Sequence, residues 1–214
     1  MVLGFGLSSI FSKAGKGSYI DFLAPGIIAQ TILFVAIFSG VELIWDRQFG
    51  FLKETLVAPV SRFEIMLGRT LGGATIAAAQ GIIALLISIA LGFRPSIYAI
   101  PLALLIMFII ALLFTALGTG IASMLHDFQG FQLIMNFLVM PLFFLSGAIF
   151  PLEEAPAFLK AASMIDPLTY GVDGLRGALS GSSHFGILLD IAVVGILSII
   201  TLFIGSILFE RIQA

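Results

Sequence analysis

The chain has 214 residues, of which 60% are hydrophobic and only 10% charged, with a net charge of −2. Soluble domains carry about 25% charged residues, so a water-soluble fold would expose much of this apolar surface, which excludes an ordinary soluble enzyme. The absence of cysteine removes disulfides and thiolate chemistry, and the near-neutral balance offers no basic surface to nucleic acid.

A helical crossing of a bilayer core needs about 20 apolar residues. Met1–Phe11 is apolar but half that length, and its lysines, Lys13 and Lys16, follow the apolar run. That order does not suit a signal peptide; the stretch reads as the end of a spanning helix. Five full spans follow, over Phe22–Ile44, Leu71–Phe93, Tyr98–Leu125, Phe131–Phe150 and Phe185–Phe209. All are read as helices, because isolated strands would leave backbone groups unsatisfied in lipid. The expected fold is therefore all-α: a polytopic transmembrane helix bundle of five spans plus an N-terminal partial span, forming one domain over 1–214.

Two polar stretches interrupt the spans. In Trp45–Thr70, Phe49, Leu52 and Leu56 recur at helical spacing with Arg47, Lys53 and Glu54 off that face, which predicts an amphipathic surface helix ended by Pro59. Ser61-Arg62-Phe63-Glu64 then fits a capping box, so the second spanning helix is expected to start near Arg62. In Pro151–His184, Pro156 breaks the chain early, and Asp166-Pro167 is a helix start. Leu168, Gly171, Val172, Leu175 and Leu179 share one face of that helix. Asp173 and Arg176 are expected to pair on the other, and Gly181 to stop it. Lysine and arginine divide equally between the two sides of the membrane, so charge alone does not orient the chain.

Few polar groups lie inside the spans. Glu42 sits near the end of the first, where a carboxylate placed at mid-bilayer would cost at least about 2.5 kcal/mol; a structural pairing with Arg47 or a neighbouring loop and a role in coupling or gating are both open. Gln80, Gln132 and Asn136 are read as bonding to neighbouring helices, with a polar route as the alternative. Gly68-x-x-x-Gly72 and the small residues after it suggest close helix packing, and Pro141 is expected to kink the fourth span. His126-Asp127 reads as a turn with Asp127 capping that span. Ala14–Ser18 lacks the first glycine of a phosphate loop, with Ile10 at that position. There is no candidate catalytic or metal site.

Glu42–Arg69 resembles the segment after the second helix of ABC type-2 export permeases at Arg47, Gly50, Leu56, Pro59, Ser61, Arg62, Gly68 and Arg69. Phe144–Arg176 is similar to the C-terminal signature of that family, through Leu145-Ser146-Gly147, Phe150-Pro151 and the run from Pro167 to Arg176. The drug-resistance and nodulation-type exporters are the nearest branch. The resemblance implies six spans where this chain supplies five and a stub, residues 1–21 being the remnant of the first span and an external loop.

It also implies that residues 45–61 form a cytoplasmic coupling region docking on a separate ATP-binding subunit. Arg47, Gly50, Leu52, Lys53, Leu56 and Pro59 would carry that contact, with Glu42, Ser61, Arg62 and Glu64 in support. Residues 151–184, including Pro151, Asp166, Pro167, Tyr170, Asp173 and Arg176, would be external re-entrant helices. The implied protein is a permease subunit in the cytoplasmic membrane exporting an amphipathic drug, lipid or glycan. It would pair with a second permease chain, identical or paralogous. It would bind no cofactor itself, ATP and Mg being held by the partner subunit. A non-transporting scaffold or decayed exporter subunit is the alternative, and an ion-coupled secondary transporter a more remote one.

Overall fold

The computed structural model describes residues 19–151 and 156–210, so the expected partial span in 1–18 lies outside the described residues. In chain order the helices are α1 (Tyr19–Phe38), α2 (Val41–Gln48), α3 (Phe51–Val57), α4 (Arg62–Ala90), α5 (Ile100–Met124), α6 (Phe128–Leu145), α7 (Ala157–Ser163), α8 (Pro167–Ser180) and α9 (Ile187–Glu210), with a 3₁₀ turn at Ile97–Ala99. Among the described residues no strand occurs. Five segments are long and apolar enough to cross a membrane, namely Tyr19–Gln48, α4, the turn with α5, α6 and α9, so the protein is an all-α polytopic bundle. Isoleucines and phenylalanines exposed along α4 and α9, such as Ile83, Ile87, Ile199 and Phe203, are the side chains that lipid covers.

The expected spans are thus recovered with three differences. The first is two helices broken at Ser39-Gly40, because α1 and α5 touch backbone to backbone there. A Cβ on Gly118 would fall 2.3 Å from the carbonyl oxygen of Ile37, and one on Gly40 would fall 2.5 Å from that of Gly118. The amphipathic helix expected across 45–58 is likewise divided. Gly50 adopts a φ of 85°, a left-handed turn that glycine makes without strain. Phe49 therefore leaves the helical face and is 71% exposed, while Leu52 is buried. Finally, Gly68 and Gly72 face open space; the close approaches use Gly73, against Ser39 and Thr115, and Gly81, against Ile32.

Helix α5 is the axis of the bundle, packed by α4, α1 and α9. Its buried residues run from Ala103 to Ser123 and include Ile106, Met107, Ile110 and Phe114. Helix α6 is peripheral and buries Phe131, Met135, Val139 and Phe143, a single ridge at i+4 spacing. It contains Pro141 within one continuous helix, and Asp127 caps it by accepting from the Gly130 N–H at 2.6 Å.

Candidate functional site

The α2–α3 end is built around anchored charges. The Arg47 guanidinium donates to the carbonyl oxygens of Leu125 at 2.6 Å and Ser123 at 2.9 Å, so it caps the C-terminus of α5, where the helix dipole favours a cation. Asp46 forms an ion pair with Arg69 of α4. A Glu42–Arg47 pair, one of the open readings, does not form: Glu42 is exposed, and Arg47 is turned to the end of α5.

Leu52 is 2% exposed and roots α3 in the core. Around it Phe51, Val57 and Val60 stand exposed beside Phe49, with Lys53, Glu54 and Pro59 also on the surface. The side chain of Leu56 lies outside the description. The result is a short platform of apolar groups and two opposite charges, held to α4 and α5 by α2. The capping box is present in full: the Ser61 N–H donates to Glu64 Oε2 at 2.7 Å and the Glu64 N–H donates to Ser61 Oγ at 3.2 Å. With Arg62 as its first residue, α4 begins as expected. These bonds give the platform a stiff continuation into the span.

The other end carries α7 and α8. Asp166 caps α8 by accepting from the Leu168 N–H at 2.9 Å, and Pro167 occupies the first helical position. Gly181 ends the helix at a φ of 74°. The five residues expected on one face are buried, and Asp173 is buried with them. The expected Asp173–Arg176 pair is replaced by backbone contacts, because α8 is enclosed rather than lying on the surface. Asp173 accepts from the N–H groups of His184 and Phe185, both at distances down to 2.8–2.9 Å. Arg176 donates to the carbonyl of Gly147 at 3.1 Å and stacks 4.0 Å over the Phe22 ring. Tyr170 donates to the Met164 carbonyl at 2.9 Å.

A cavity of about 710 Å³ lies at this end, lined among others by Phe22, Pro151, Lys160, Asp173, Arg176 and Phe185. It lies within the size range of small-molecule sites.

Gln80, Gln132 and Asn136 are exposed and make no hydrogen bond among the described residues, so the expected bonds to neighbouring helices of this chain do not form. Two groups were not anticipated. Asp46 was hidden by its neighbours, because only the fold brings Arg69 to it. Asp190 had a visible signal, an acid inside the apolar run 185–209, and the structure buries it to 1% exposure in the first turn of α9. No cluster of metal-binding side chains is present among the described residues.

Comparison with known proteins adds a consistent set of likenesses. The model of the ABC-2 type transporter family matches residues 1–180. Nodulation protein J of Rhizobium leguminosarum bv. trifolii is 27% identical over 214 residues, covering 98% of this chain and 80% of that protein. Nodulation protein J of Sinorhizobium fredii is 27% identical over 219 residues, with 98% and 80% covered. A transport permease by name, ycf38 of Cyanophora paradoxa, is 30% identical over 170 residues; the match covers 78% of this chain and 59% of that protein. The chain thus spans less than two thirds of ycf38.

Proposed function

The chain belongs to the ABC-2 type transporter family, as a multi-pass membrane permease component, and from that premise we propose that it is the membrane subunit of an exporter driven by a separate ATP-binding subunit. The observation that carries this is the α3 platform. Its exposed Phe51 and Val57, beside Lys53 and Glu54, form a small mixed surface outside the spans. Such a surface, mixing exposed apolar and charged groups, suits docking of a soluble partner. Arg47 and the Asp46–Arg69 pair tie that surface to α5 and α4, so displacement of the platform is passed to the bundle.

In this reading α3 faces the cytoplasm, α7 and α8 face outward, and the protein lies in the cytoplasmic membrane. ATP and Mg stay on the partner, whose binding and hydrolysis bias the bundle between states that dock it differently. The substrate is an amphipathic drug, lipid or glycan. A second permease chain completes the pathway. Gln129, Gln132 and Asn136 recur on one side of α6, exposed and without hydrogen bonds among the described residues, and buried amides in lipid want partners.

The test is a mild-detergent pull-down of the natively expressed chain, with differently tagged copies reading the second permease. A P-loop ATPase is expected in stoichiometric amount, and Lys53→Asp or Val57→Asp is expected to lose it while membrane insertion is unchanged. Undiminished co-purification with both variants would refute docking through α3.

A further inference from the structure

The cavity of about 710 Å³ sits where three spans begin or end. Its wall takes Phe22 from the first turn of α1, Ser146 from the residue after α6 and Phe185 from just before α9. That position sets it at the depth of lipid headgroups rather than of acyl chains. On its lipid side the rim is apolar. Phe150, next to Pro151 on the wall, is 60% exposed, and Ile165, next to Met164 on the wall, is 84% exposed.

The charges on the wall are unequally engaged. Asp173 is the one acid there among the described residues. Its carboxylate accepts from the His184 N–H at 2.8 Å, the Phe185 N–H at 2.9 Å and the Ser183 hydroxyl at 3.3 Å. These donors belong to the strap between α8 and α9, so the negative charge is satisfied within the wall. Positive charge comes from Lys160 on α7 and Arg176 on α8. Arg176 is set in place by the carbonyls of Gly147 at 3.1 Å and Phe22 at 3.4 Å, and by the Phe22 ring at 4.0 Å. A guanidinium oriented in advance loses little freedom when an oxyanion reaches it. The Ser182 hydroxyl and the His184 ring add donors from the strap. The aromatic faces are less open: Arg176 covers Phe22, and Phe185 packs with Tyr170 at 5.2 Å and His184 at 4.7 Å between ring centroids. The wall thus suits an oxyanion better than a stacked sugar ring.

We propose that this cavity binds the phosphate headgroup of an anionic membrane lipid. Lys160 and Arg176 meet the phosphate from α7 and α8, Ser182 and His184 donate from the strap, and the acyl chains leave over Phe150 and Ile165. The volume exceeds that of a bare phosphate ion and leaves room for the glycerol of the lipid. The site stands on this geometry alone, whichever way the protein transports and whichever side of the membrane this end faces.

Native mass spectrometry of the full chain in detergent, titrated with dioleoyl phosphatidylglycerol or dioleoyl phosphatidylcholine, reads the binding. Two cations facing the headgroup predict about 30-fold tighter retention of phosphatidylglycerol, whose charge no choline offsets. Lys160→Met is expected to weaken that retention about fivefold. Arg94→Gln removes an exposed cation from a loop that does not line the cavity and is expected to leave it unchanged. Amide hydrogen exchange of the unsubstituted chain places the lipid without relying on how a variant folds. In nanodiscs containing phosphatidylglycerol, 182–186 should exchange more slowly than in pure phosphatidylcholine, because a bound headgroup holds the strap closed. Inorganic phosphate added to phosphatidylcholine nanodiscs should give little of this protection. Equal retention of the two lipids, an equal loss in Arg94→Gln, or unchanged exchange at 182–186 would each overturn the proposal. Full protection by inorganic phosphate alone would also overturn it, since the ligand would then be a free anion and not a lipid.

Discussion

Replacing Arg47 by methionine keeps most of the apolar stem and removes both hydrogen bonds to the end of α5. Bonds from a charged donor contribute about 1.5–3 kcal/mol each. The guanidinium is half-buried, so water recovers part of the loss at the two carbonyls. The discounted cost is about 2 kcal/mol, equivalent to roughly a 30-fold shift in the docking of α2 against α5. Hydrogen exchange in nanodiscs should therefore show the 48–58 amides opening roughly 30-fold more often, with α1 amides up to Phe38 unchanged. Lysine at position 47 reaches one carbonyl at a time and should recover about half of the effect in free energy. Unchanged exchange at 48–58, or an equal rise throughout the bundle, would show that Arg47 does not hold this end together.

Three further tests address packing and pH. Gly118→Val places atoms against the Ile37 carbonyl, where even a Cβ would sit at 2.3 Å, and should abolish monodisperse protein on size exclusion. Gly72→Ala fills open space in a helix and should leave the thermal midpoint unchanged or raise it, alanine being favoured by about 1 kcal/mol. Burial pushes the Asp166 carboxyl up to about 7, against the N–H of Leu168 and the hydroxyl of Thr169, which favour the charged form. The native state thus keeps a proton that the unfolded chain releases at lower pH. Its contribution to stability is present in acid and is lost as pH rises through about 7. Asp166→Asn retains a capping acceptor, so it should narrow the acid-to-alkaline difference in melting temperature; a difference of the same size would refute the assignment.

The spans and caps were legible because their causes are local. Apolar length gave the five crossings, and Ser61, Asp127 and Asp166 each met an amide within three residues, a distance the chain fixes by itself. What sequence could not supply was direction around a helix. Gly68 and Gly72 have the spacing of a packing motif, yet α1 and α5 approach α4 on the face of Gly73 and Gly81. Arg47 has an acid five residues before it and a nearer partner in space, the end of α5, which lies far along the chain. Asp173 and Arg176 looked like an exposed pair because their neighbours on α8 already filled one face; enclosure by α1, α5 and α9 made both sides interior. For the platform itself, Gly50 marked a turn that periodicity ran through, because hydrophobic spacing carries no information about the sign of φ.

The contact between Gly40 and Gly118 has a mechanical consequence. Side chains at a crossing can change rotamer and absorb a push, whereas two backbones in contact have nothing to yield, so the crossing serves as a fulcrum. On one side of it α2 extends eight residues, an arm of about 12 Å at the helical rise. A tilt of about 10° about Gly40 would carry Gln48 roughly 2 Å on that geometry. The Arg47 bonds sit near the tip of the arm, where they turn such a swing into a pull on the end of α5.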